Sequence, residues 1–78
     1  MEQLDRITHQ PDVMGGKACI RGMRITVALV VSLVANGMTN EEIMNEYPDI
    51  EAEDIRQALS YAAALANDEF HLFTPTLA

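Results

Sequence analysis

The clearest apolar block along the chain is ITVALVVSLVA, Ile25 to Ala35, and eight of the ten residues from Val27 to Asn36 are apolar. Thr26 ahead of them is a good N-cap, because its hydroxyl can accept from one of the amides a helix start leaves unpaired. Gly37 behind them suits the left-handed residue that closes a helix. The β-branched residues would also serve a strand, but length, cap and stop favour a helix. With only Ser32 and Asn36 polar, this core helix is expected to be covered on nearly every side and to touch another subunit. Thr39-Asn40-Glu41-Glu42 then reads as a capping box. It opens a short second helix with Ile43, Met44 and Tyr47 on its apolar face, ended by Tyr47-Pro48. A third helix begins near Glu51, where Ile55, Ala58, Leu59, Ala62, Ala63 and Ala66 recur at helical spacing and the alanines permit close approach of another helix. Glu51, Glu53 and Asp54 in its first turn complement the positive end of the helix dipole. From Asp68 onward Phe70, Leu72 and Phe73 show no periodicity, so that tail is left outside the helices.

The residues before the first helix follow a different rhythm. Ile7-Thr8-His9 supports one brief strand, cut short by Pro11. Ala18-Cys19-Ile20 and Met23-Arg24-Ile25 flank Arg21-Gly22, and Gly22 accepts a positive φ at no steric cost, which predicts a tight turn or two-stranded ribbon. The expected fold is mainly α and forms a single domain: an extended head over 1–25, three helices over 26–67 and a tail over 68–78. The second and third helices have the length and connection of a helix-turn-helix.

Composition adds an expectation of self-association. A chain of 78 residues that is 49% hydrophobic and has few aromatics carries a heavy apolar load for one small core. A homodimer is the economical way to bury it. Charge is polarised: residues 1–24 hold four basic and three acidic side chains, net +1, whereas residues 25–78 hold one basic and nine acidic, net −8. The overall charge of −7 opposes general attraction to nucleic acid or anionic membranes. No stretch reaches the roughly 20 apolar residues of a membrane-spanning helix. One cysteine and no signal-like N-terminus point to a reducing, cytoplasmic setting.

Candidate chemistry is concentrated in GGKACIRGMR, Gly15 to Arg24, which holds three of the five basic residues, three of the four glycines and the single Cys19. Metal binding has no basis here, since His9 and His71 lack spaced ligand partners. Between Lys17 and Arg21, Cys19 has the setting of a lowered thiol pKa, but it reads more simply as a small buried apolar residue. The glycines lack the spacing of a phosphate loop. No nucleophile, base and orienting group can be assembled, so an enzyme is not expected, nor is a cofactor. Lys17, Arg21 and Arg24 remain as candidates for binding a protein partner or nucleic acid. Arg21 at the turn is expected to expose a guanidinium that can take phosphate or carboxylate in bidentate fashion. Equally, all three can pair with carboxylates of the acidic body.

From about Arg6 to Ala63 the chain resembles the domain-of-unknown-function family 433. The likeness is carried by GGKACIRGMRITV, the apolar helix, Gly37-Met38, Glu41-Glu42-Ile43, Tyr47-Pro48 and an alanine-rich last helix. Ala18, Met23 and Thr26 stand where the family pattern has Pro, Thr and Pro, and none of the three removes a charge. What the resemblance implies is a homeodomain-like three-helix fold and the role of an antitoxin that neutralises a PIN-type nuclease toxin and binds operator DNA. Two other readings stand beside it: a stand-alone helix-turn-helix regulator that binds DNA, and a structural homodimer with no nucleic-acid role.

Overall fold

The structure, a computed structural model, describes the backbone of residues 3–73 and the side chains of residues 3–67. In chain order come β1 (Ile7–Thr8), a 3-10 turn over Met14–Gly16, β2 (Cys19–Ile20), α1 (Val27–Ala35), α2 (Asn40–Glu46) and α3 (Ala52–Phe73). The fold is mainly helical, with a small β head ahead of three helices, as the apolar rhythm predicts.

The head folds back on itself twice. β1 and β2 pair antiparallel with Ile7 opposite Ile20 and Thr8 opposite Cys19. Past Ile20 the chain turns through Arg21 (φ 46) and Gly22 (φ 73), and the Met23 N–H donates to the Ile20 carbonyl at 2.8 Å. Positive φ at both central residues is the signature of a type I′ turn. The return segment is held by the Ile20 N–H to the Ile25 carbonyl, 2.9 Å, and by a bridge between Cys19 and Thr26. The expected tight turn at Arg21-Gly22 therefore exists, but the two-stranded sheet is formed by β1 and β2, and the return segment joins β2 through the single Cys19–Thr26 bridge without being a strand itself.

Each helix start and stop follows from a local device. Thr26 Oγ1 accepts from the Leu29 N–H at 3.0 Å and opens α1. At the other end, the Gly37 N–H reaches the Val34 carbonyl (2.9 Å) and the Met38 N–H reaches that of Leu33 (3.2 Å), with Gly37 at φ 89. This is a Schellman closure, and it satisfies the Leu33 and Val34 carbonyls near the end of α1. The capping box of α2 has both its bonds, Glu42 N–H to Thr39 Oγ1 at 3.1 Å and Thr39 N–H to Glu42 Oε1 at 2.8 Å. Ile20, Val27, Val30, Ile43, Ile50, Ile55 and Ala58 make one buried cluster to which the head and all three helices contribute.

Two expectations need correction. Helix α3 runs through Phe73, six residues past the expected end at 67, while residues 74–78 of the expected tail lie outside the described residues. Nor is α1 covered all round: of its nine residues only Val27 and Val30 are buried, and Ala28, Ser32 and Ala35 are exposed. One small chain does not supply enough surface to surround a helix that is apolar on every side.

Candidate functional site

The basic head meets the acidic body at the first turn of α3, and Asp54 is the meeting point. Its carboxylate has no exposed surface. Oδ1 accepts from Arg21 Nε (3.0 Å) and Arg6 Nη1 (3.1 Å), and Oδ2 from Arg21 Nη2 (2.8 Å) and the Glu51 N–H (2.8 Å). Four donors fill the acceptor capacity of the two oxygens. The Glu51 bond is also the returning half of a capping box, so one side chain both starts α3 and holds the head. Burial pushes the Asp54 carboxyl up, but the bonds from Arg21, the Glu51 N–H and Arg6 outweigh it and hold the group below the usual carboxylate range.

The arginines extend the junction outward. Arg21 Nη2 also donates to the Asp49 carbonyl at 2.6 Å, in the turn between α2 and α3. Arg6 Nη1 also reaches Glu51 Oε1 at 2.6 Å. Behind them Gln57, 4% exposed, accepts from the Arg6 N–H (2.9 Å) and donates to Asp5 Oδ1 (2.9 Å) and Glu53 Oε2 (3.0 Å). Thr8 Oγ1 accepts from the Gly22 N–H at 2.9 Å and so ties the turn to β1. Arg21 occupies a left-handed conformation that non-glycine residues avoid, and its side chain is fixed by Asp54 and Asp49.

The three candidate cations thus divide. Arg21 sits in the turn as expected, with its side chain 36% exposed, but its guanidinium is already engaged by a carboxylate of its own chain. Lys17 and Arg24 are exposed, and among the described residues neither side chain makes an ion pair or hydrogen bond. Arg6, in contrast, belongs to the junction although nothing in its local sequence marks it. Cys19 is 1% exposed on β2, so it packs as a small apolar residue. His9 Nε2 lies 3.0 Å from Tyr61 Oη. Among the described residues no three His, Cys, Asp or Glu side chains converge as a metal set, and no helix is long and apolar enough to cross a membrane.

A second feature lies between α1 and α3. An open groove of about 620 Å³ is bounded by Lys17, Ala28, Val31 and Ser32 on one side and by Tyr61, Ala62, Leu65 and Ala66 on the other. None of its lining residues is acidic, and Lys17 is its one formal charge. Leu65 beside it is 52% exposed.

Taken together, the β head clasped to the third of three helices defines a small, mainly helical fold. The chain belongs to the family described as protein of unknown function (DUF433), whose model matches residues 7–62. A solved DUF433 member protein from Anabaena variabilis ATCC 29413 is similar at a TM-score of 0.73 and 33% identity, over 81% of this chain and 62% of that one. An uncharacterized protein, y4eO, of Sinorhizobium fredii (strain NBRC 101917 / NGR234) is 40% identical over 58 residues, 74% of this chain. The matched region is 26% of that relative's length, so the chain corresponds to about a quarter of it.

Proposed function

We propose that this chain is a non-catalytic, antitoxin-type binding protein whose target is another protein, engaged through Lys17 and Arg24. The observation that carries this reading is the state of the cations. In a chain with 12 carboxylate residues, Lys17 and Arg24 are exposed without a carboxylate partner among the described residues, while Arg6 and Arg21 are both drawn onto Asp54. Two exposed cations on the head suit an acidic patch on a partner. The PIN-type nuclease implied by the family resemblance has such a patch in its carboxylate-rich active site.

Electrostatics weigh against the DNA-reading alternative. In a helix-turn-helix the second helix offers its first turn to base edges, with phosphates on both sides. Asp54 in that turn is buried and already paired with Arg6 and Arg21, but the surface around it presents the exposed carboxylates of Glu51 and, on α2 before it, of Glu41, Glu42 and Glu46. Phosphates would meet carboxylates first.

The test is co-expression with the protein encoded next to it, followed by titration of the purified pair. A stable complex that weakens when Lys17→Glu and Arg24→Glu are introduced supports the reading. No complex, or tight salt-dependent DNA binding by the chain alone, overturns it.

A further inference from the structure

Arg21 and Arg24 are the first and last residues of one short loop. The Ile20 N–H donates to the Ile25 carbonyl at 2.9 Å and closes it, and the Val27 N–H to the Ala18 carbonyl, 2.9 Å, continues the pairing beyond it. Every residue of the loop before Arg24 is tied down. Arg21 is clamped by the Asp54 carboxylate and the Asp49 carbonyl, the Gly22 N–H is held by Thr8 Oγ1, and Met23 packs against the core. Arg24 follows, exposed, between Met23 and Ile25, which both pack inward. Its backbone is fixed from both sides, so the turn before it sets the direction in which its side chain leaves the chain.

The local sequence does not favour that turn. Gly22 takes its positive φ of 73 freely, but Arg21 at φ 46 occupies a position that suits Asn, Asp or Gly. A left-handed backbone is disfavoured at such a residue by roughly 5-fold or more in population, and the bonds to Asp54 and Asp49 are what hold it there. We infer that Arg21 is a positioning residue for partner binding: clamped to Asp54, it keeps the loop in the one conformation that presents Arg24 to a carboxylate of the partner. This rests on the role of Arg24 proposed above. Pairing of a guanidinium with a carboxylate is directional, so a loop already set in the bound shape loses less freedom on binding. A loop that samples other shapes binds more weakly in proportion to the time it spends in them.

Two substitutions at one position separate this role from simple support of the fold. Arg21→Ala and Arg21→Asn remove the same charge and the same bonds to Asp54 and Asp49, but Asn followed by Gly is the preferred pair for this turn and Ala is not. The full chain is titrated calorimetrically with the adjacently encoded protein, at a temperature where far-UV circular dichroism shows each variant folded. Arg21→Ala is expected to weaken binding at least about 5-fold, and Arg21→Asn to stay within about 2-fold of wild type. Gly22→Ala keeps every charge and the clamp while placing a side chain at φ 73, so it decides the matter if the Arg21 variants do not fold; it too should lose at least about 5-fold. In the free chain the Met23 amide, which donates to the Ile20 carbonyl, should exchange with solvent faster in Arg21→Ala than in Arg21→Asn. Wild-type affinity in Arg21→Ala or Gly22→Ala overturns the inference. So does an equal loss in Arg21→Ala and Arg21→Asn, which would mean that Arg21 meets the partner itself. A wild type that does not bind, or a Lys17→Glu/Arg24→Glu variant that binds as wild type does, refutes instead the reading of Arg24 beneath it, and this inference falls with that reading.

Discussion

Replacing Asp54 by Asn keeps the shape of the buried side chain and removes only its charge and half its accepting capacity. In the native carboxylate each oxygen receives two N–H donors: Arg21 Nε and Arg6 Nη1 on one, Arg21 Nη2 and the Glu51 amide on the other. An amide has one accepting oxygen, so whichever way Asn is flipped its NH2 faces two donors in a site with no exposed surface. Losing both bonds on one side and crowding donors together costs about 3 kcal/mol, toward the lower end for a buried pair because both arginines reach solvent and can rehydrate. A domain of this size has on the order of 4–12 kcal/mol in total. The loss corresponds to a fall in Tm of roughly 12–24 °C. Urea unfolding followed by far-UV circular dichroism reads the difference, with the m-value unchanged. A loss below about 1 kcal/mol refutes the reasoning, because it means the head is not held through this carboxylate. The pH dependence gives a second reading. The folded Asp54 pKa lies below its unfolded value, so its stabilisation is fully present above about pH 4 and is lost as pH falls through the folded pKa. In Asp54→Asn the acid-side slope of stability should be shallower than in wild type.

Other expectations are local. Thr39→Ala removes one half of the capping box and should cost about 1 kcal/mol in the same unfolding assay, with the fold otherwise intact. Gly37→Ala places a side chain at φ 89 in the Schellman closure and should cost about 1 kcal/mol or more, although nothing lies within 4 Å of the added carbon. Cys19, at 1% exposure, should resist thiol alkylation in the native protein and react once urea unfolds it; prompt native labelling would mean the β head opens on its own.

What the sequence reveals and what it conceals follow from the range of the interactions. The cap at Thr26, the stop at Gly37, the box at Thr39 and the break at Pro48 are local signals, and the structure has each where the sequence places it. The end of α3 was hidden because Asp68 to Phe73 lacks the 3.6-residue apolar spacing by which the rest of the helix announces itself. By its local sequence Asp54 is one of three acids complementing a helix dipole. Its deeper role depends on Arg6 and Arg21, 48 and 33 residues away, and no local pattern encodes a contact of that separation. For the same reason nothing local marks Arg6, and the local sequence shows Arg21 as a cation without showing its partner. The over-estimate of burial on α1 is informative in another way: the pattern describes a surrounded helix, and one chain surrounds only part of it.

Central to this account is a division of labour within GGKACIRGMR, in which Arg21 holds the fold while Lys17 and Arg24 meet the partner. Isothermal titration of the adjacently encoded protein with wild type and with the Lys17→Glu/Arg24→Glu double variant, paired with urea unfolding of both, tests that division most directly. The account predicts affinity lowered at least about 30-fold and stability changed by no more than about 0.5 kcal/mol per site. Unchanged affinity, or a loss of stability that accompanies the loss of binding, would contradict it.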